Sequence, residues 1–166
     1  FGQNDVQMSP LHMAMVASTV ANEGEMIRPF VVDARLDHAG RVLDRTERDV
    51  WKRPISRRTA DTLADLMVEV AESGTASCCI ALDDGIPVAA KTGTAQLNDT
   101  GEPERSHAWI LAYAPADEPK YAVAVMIKGT TDEISASTGG QLAGPLAKQM
   151  LDAMFDIDPP ESDDDR

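Results

Sequence analysis

The chain has 166 residues, 43% of them hydrophobic, and a formal net charge of −13. That length suits one domain with a sizeable core, and so acidic a balance excludes a nucleic-acid partner, which needs a basic surface. No apolar run approaches the roughly 18 residues of a membrane span.

The chain opens on Phe1-Gly-Gln-Asn-Asp5, polar and without an initiator Met or a secretory leader. It is therefore expected to be the C-terminal part of something longer. Ser9-Pro10 then caps and starts a helix over Leu11–Asn22, which Gly24 ends. Its wide apolar surface (Leu11, Met13, Ala14, Met15, Val16, Ala17, Val20) predicts that the helix is largely buried. His12 in its first turn reads as an ordinary histidine, with no second ligand at metal spacing.

Phe30–Leu36 and Arg41–Leu43 flank the turn Asp37-His-Ala-Gly40, which predicts a hairpin. The charged run Asp44–Pro54 reads as a solvated connection packed down by Trp51. From Ile55-Ser56 a second helix follows. Its Leu63, Leu66, Met67 and Val70 recur at i, i+3, i+4 and i+7, and Gly74 closes it. Cys78 and Cys79 lie in the turn-rich stretch after it. Neighbouring cysteines rarely bridge, and two alone supply no disulfide framework or metal site, so they are expected to be small, partly buried thiols.

Three strands follow at Val88–Gln96, His107–Ala114 and Tyr121–Ile127, separated by turn chemistry at Leu97–Arg105 and Pro115–Pro119. They predict an antiparallel meander. Ala108, Ala112 and Ala114 on one face of the middle strand predict that a helix packs closely there. A last helix spans about Gln141–Phe155, with Leu142, Leu146, Met150 and Met154 on one side beside Ala143, Ala147 and Leu151. Residues 156–166 hold six acids and one base and read as a solvated, disordered acidic tail.

The first of the three strands carries the chemistry, in Lys91-Thr92-Gly93-Thr94. In a regular strand Thr92 and Thr94 share one face and Lys91 points to the other. Gly93 leaves room for another backbone to approach. An extended substrate can add to such an edge, its carboxylate held by the two hydroxyls and the ammonium. A backbone N–H there can face a developing oxyanion. The plainer alternative is an edge strand whose lysine guards against aggregation.

Wider context bears on that choice. Gly2–Ala14, Ala21-Asn-Glu-Gly24, Ser73-Gly-Thr-Ala76, Ala89-Ala-Lys-Thr-Gly-Thr-Ala-Gln96, His107-Ala-Trp109 through Tyr113-Ala-Pro115, and Gly139-Gly140 through Pro145 occur in one order. Together they resemble the C-terminal half of a class B penicillin-binding protein transpeptidase domain, nearest to the actinobacterial cell-division type. The resemblance implies an α+β fold, an antiparallel β-meander packed by helices. It makes residues 1–155 the C-terminal part of a penicillin-binding-protein/β-lactamase-like transpeptidase fold and 156–166 the acidic tail. The family's sheet has two further strands from an upstream segment, so Tyr121–Ile127 would otherwise present an apolar edge.

One departure stands out. None of the nine serines has a lysine three residues on, and Ser-x-Asn is absent too. The acylated serine and its activating lysine are therefore expected in the missing N-terminal half. By the resemblance, Lys91 sets positive potential and helps organise proton transfer. Thr92 and Thr94 bind the substrate or β-lactam carboxylate, Gly93 keeps the strand face clear, and the Thr94 backbone N–H is one oxyanion donor. The stretches Leu97–Arg105 and Ser137–Gly140 are expected to border the cleft.

The implied activity is serine D,D-transpeptidation of peptidoglycan stem peptides, inhibited by β-lactams, with no cofactor and no metal. A D,D-carboxypeptidase or β-lactamase relative is the alternative within the class. A noncatalytic carboxylate-binding or divisome interaction module is the alternative outside it. Division proteins are further implied partners, and the implied location is a membrane-anchored protein with this domain on the extracytoplasmic side.

Overall fold

The computed structural model describes residues 6–96 and 105–157. Pro10–Ala21 forms α1, with the Ser9 hydroxyl accepting from the His12 N–H at 3.3 Å. A small excursion follows. Strand β1 (Met26–Ile27) pairs with β4 (Val50–Lys52), and β2 (Ala34–Leu36) pairs with β3 (Val42–Arg45), both antiparallel. Next come α2 (Arg57–Glu72), β5 (Ala89–Gln96), β6 (Ser106–Ala114), β7 (Tyr121–Ile127), α3 (Asp132–Ala136) and α4 (Gly139–Ile157). The acidic stretch 158–166 and most of the Leu97–Arg105 turn lie outside the described residues.

The expected meander is present. Strands β5, β6 and β7 form an antiparallel sheet in that order, with Ala89 opposite Tyr113, Gln96 opposite Ser106, and Ala114 opposite Tyr121. Helices cover both faces, so the chain is α+β as expected. On one face, α4 buries Ala143, Ala147, Leu151 and Phe155 against Ala90, Ile110, Ala112, Val123 and Val125. On the other, Ala17 and Val20 of α1 and Met67 of α2 meet Ala89, Leu111 and Tyr113. Small residues on β6 and α4 let helix and strand approach closely. Each fully buried large aliphatic side chain among them contributes roughly 1.5–3 kcal/mol.

Several sequence expectations need correction. Helix α1 buries Met15, Ala17, Thr19 and Val20 and has no exposed residue from Met13 to Ala21, as expected of a largely buried helix, but Leu11 in its first turn is 58% exposed. In α4 the buried stripe is the small one, while Leu146 and Met150 are exposed. Ala143 and Ala147 fit against the alanine-rich sheet where leucines would hold the helix away. The run Asp44–Pro54 contains the end of β3 and all of β4 instead of being a bare connection. Trp51 does not pack it down: it is exposed, with the Lys52 ammonium 4.4 Å and the Arg28 guanidinium 5.8 Å from its ring centroid. The first arm of the predicted hairpin is strand only from Ala34. Finally, Cys78 and Cys79 are joined in a vicinal disulfide, so neither is a thiol.

Candidate functional site

Lys91, Thr92, Gly93 and Thr94 all lie on β5, whose sole strand neighbour among the described residues is β6. Its alanines, lysine and glycine are weak strand formers, so the strand rests on its two threonines and on pairing with β6 along the whole of Ala89–Gln96. Ala89 and Ala90 anchor its first two positions in the two opposite cores. Alternation from those anchors puts Lys91 on the α1/α2 face and Thr92 and Thr94 on the α4 face. Lys91 is exposed, and its Nζ donates to the Thr92 carbonyl oxygen at 2.6 Å. Thr94 is also exposed, near the end of the strand.

Thr92 is held more closely. Its Oγ1 lies 2.6 Å from Thr75 Oγ1, so the two hydroxyls share a hydrogen bond. Thr75 follows the C-terminus of α2, where the Gly74 N–H donates to the Glu69 carbonyl at 3.0 Å and the Ala76 N–H to Val70 at 3.2 Å. The start of α4 closes the other side. A Cβ on Gly140 would sit 2.2 Å from the Thr75 carbonyl oxygen and 3.5 Å from Thr92 Cγ2. A Cβ on Gly139 would sit 2.2 Å from Trp109 O and 2.7 Å from Gly93 O. Glycine is required at both positions because the obstructing atoms are backbone.

The Ser137–Gly140 approach therefore does border the motif strand. Within the chain, the close backbone approach to β5 comes from the start of α4. The glycine that permits it is Gly139, whereas a Cβ on Gly93 would meet only Trp109 Cβ, at an ordinary 3.4 Å. Thr75 is not among the site residues expected from sequence, although Ser73-Gly-Thr-Ala76 is one of the stretches that carry the family resemblance.

Just past the motif, where Ala95 faces His107 and Gln96 faces Ser106, the start of β6 is tied to the segment after β7. Ser106 Oγ donates to the Ser135 carbonyl at 2.8 Å, and the Gly129 N–H donates to His107 Nδ1 at 3.1 Å. That bond needs a neutral imidazole. Burial, aided by the positive charge of Lys128, holds the His107 pKa below its ordinary value. Behind the motif, Tyr113 is almost fully buried, and its hydroxyl has no partner among the described residues. Burial first, and the Asp65 carboxylate second, push its pKa up to about 12.

An antiparallel sheet with helices on both faces and Lys-Thr-Gly-Thr on an outer strand is the arrangement expected of the penicillin-binding-protein/β-lactamase-like transpeptidase fold. The comparisons agree. The family model described as penicillin binding protein transpeptidase domain matches residues 1–152. The chain is 38% identical over 152 residues to the peptidoglycan D,D-transpeptidase PbpA of Mycolicibacterium smegmatis, covering 92% of this chain and 30% of that protein. Among solved structures it resembles PBPA from Mycobacterium tuberculosis, with a TM-score of 0.75 and 37% identity over 93% of this chain and 34% of that one. It also resembles the ceftriaxone acyl-enzyme complex of the same protein, with a TM-score of 0.77 and 35% identity over 92% and 33% of the two chains. This chain belongs to the penicillin-binding-protein transpeptidase family, in its class B actinobacterial branch. It spans about a third of the length of these relatives.

Proposed function

We propose that this chain supplies the Lys-Thr-Gly wall of a peptidoglycan D,D-transpeptidase whose acylated serine lies in a segment outside residues 1–166. The observation that carries this is the β5 motif edge, in a chain similar to a protein solved as a β-lactam acyl-enzyme. In the proposed reaction the serine oxygen attacks the carbonyl of the D-Ala-D-Ala peptide bond, and terminal D-alanine leaves with the transferred proton. The amine of a neighbouring stem peptide then displaces the serine. A penicillin enters as an acyl donor whose leaving group stays tethered, so the acyl-enzyme persists.

The residues divide the work by position. Lys91 stands on the α1/α2 face, where its ammonium raises the potential felt by an incoming carboxylate and favours proton movement at the serine. Thr92 and Thr94 lie along the same edge and hydrogen-bond the substrate carboxylate, and the Thr94 backbone supplies an oxyanion donor. Gly93 keeps the strand between them narrow. No helix among the described residues is long and apolar enough to cross a membrane. A membrane anchor and extracytoplasmic placement belong to the same proposal and would be supplied by sequence outside this chain.

Measuring penicillin acylation of the complete protein with Lys91→Ala and Thr94→Val tests the assignment. A positioned electrostatic or hydrogen-bonding group of this kind is worth about 100-fold or more in the lysine variant. Acylation at the parent rate in Lys91→Ala would remove the lysine from the mechanism.

A further inference from the structure

The Thr75–Thr92 pair carries an inference about how the carboxylate site is prepared. It rests on the reading above, in which Thr92 binds the substrate carboxylate. A threonine hydroxyl has one proton to give and two lone pairs to receive with. To bind a carboxylate, which only accepts, Thr92 must spend its proton on the ligand. Its bond to Thr75 at 2.6 Å can then exist only with Thr75 as the donor.

We infer that Thr75 is a positioning residue: its hydroxyl donates to Thr92 Oγ1 and thereby turns the Thr92 O–H outward to the substrate carboxylate. The surroundings fit that task. Thr75 is fixed on one side by the capped end of α2, through the Gly74 and Ala76 N–H bonds to Glu69 and Val70. On the other side the first turn of α4 lies against it, with room only for the glycine at 140. The donor is thus set by two elements, α2 and α4, and reaches a third, β5. A chain in which one hydroxyl polarises the next also strengthens the outer bond to an anion.

The test is the ratio of acylation rates for a penicillin carrying its free carboxylate and for the methyl ester of the same penicillin, measured on the complete protein. Both ligands sample the same folded fraction, so any loss of stability cancels from the ratio. Thr75→Val should lower the acid-to-ester ratio about five- to tenfold, and Thr75→Ser should restore it to within about twofold. Thr92→Val should lower it by at least as much, with Thr75→Val adding nothing further in the double variant.

An unchanged ratio in Thr75→Val, a failure of Thr75→Ser to rescue, or additive losses in the double variant would overturn the inference. If Thr92→Val itself leaves the ratio unchanged, the carboxylate reading of Thr92 fails first.

Discussion

On the α4 side of the sheet, Ala143, Ala147, Leu151 and Phe155 are all buried, and Leu151 is completely so. On the opposite side, α1 and α2 bury Ala17, Val20, Ala60 and Met67 but leave Leu11 58% and Leu66 59% exposed. A contrast appears in polar groups. Lys148 in α4 pairs with Asp83 and Asp152, whereas on the α1/α2 side the buried Tyr113 hydroxyl has no partner among the described residues. Both faces leave apolar side chains exposed, Leu146 and Met150 of α4 among them at 41% and 42%. The two differ in polar groups: among the described residues the α1/α2 face carries the buried Tyr113 hydroxyl without a partner, and Lys91 emerges from that face. The relatives are about three times as long, so sequence outside this chain can alter that difference.

Core truncation should give the largest effect. Leu151→Ala is expected to cost about 2–5 kcal/mol in chemical denaturation, because a completely buried leucine leaves a cavity under α4. Leu66→Ala is expected within about 0.5 kcal/mol in the isolated chain. In the complete protein it should cost clearly more if the face is covered, and equal small costs in both settings would break the comparison. Gly139→Ala tests the α4 side. The new methyl meets the backbone of β5 and β6, so the expected cost is about 1–3 kcal/mol, read in the same denaturation experiment.

Smaller effects probe the polar groups. Tyr113→Phe removes a hydroxyl buried without a partner, so it should be neutral or stabilising by up to about 1 kcal/mol in this chain. Because the folded state holds that phenol protonated up to about 12, stability should fall as pH rises from about 10 towards 12. The phenylalanine variant should lose that component of the fall. A destabilised Tyr113→Phe in the complete protein would show that added sequence supplies a partner. His107 works in the opposite sense. Its neutral form accepts from Gly129, so stability should decline as pH falls below about 6.5. His107→Gln should flatten that part of the melting-temperature profile.

The sequence announced the helices and the meander because caps, turns and periodicity all agreed. Ser9 and Ser56 are the helix caps, and Tyr121–Ile127 is the strand the apolar run predicted. Periodicity could not tell which of two adjacent stripes of α4 faces inward, since that depends on the alanines of the partner sheet. The pairing of β1 with β4 joins residues about two dozen apart through two- and three-residue strands, too short to give an alternating pattern. The five-residue α3 is equally silent. At the site, local order placed Lys91 through Thr94 on one strand. The Thr75–Thr92 bond and the Gly139 contact join segments distant in sequence, so tertiary packing alone reveals them.

The central claim is that β5 forms one wall of an acylation site completed by protein beyond residues 1–166. Intact mass of the complete protein after penicillin treatment, followed by peptide mapping, tests it most directly. One penicilloyl adduct is expected, mapped to a serine outside these 166 residues and diminished in Lys91→Ala. An adduct on a serine within this chain, or no adduct on the folded complete protein, would contradict it.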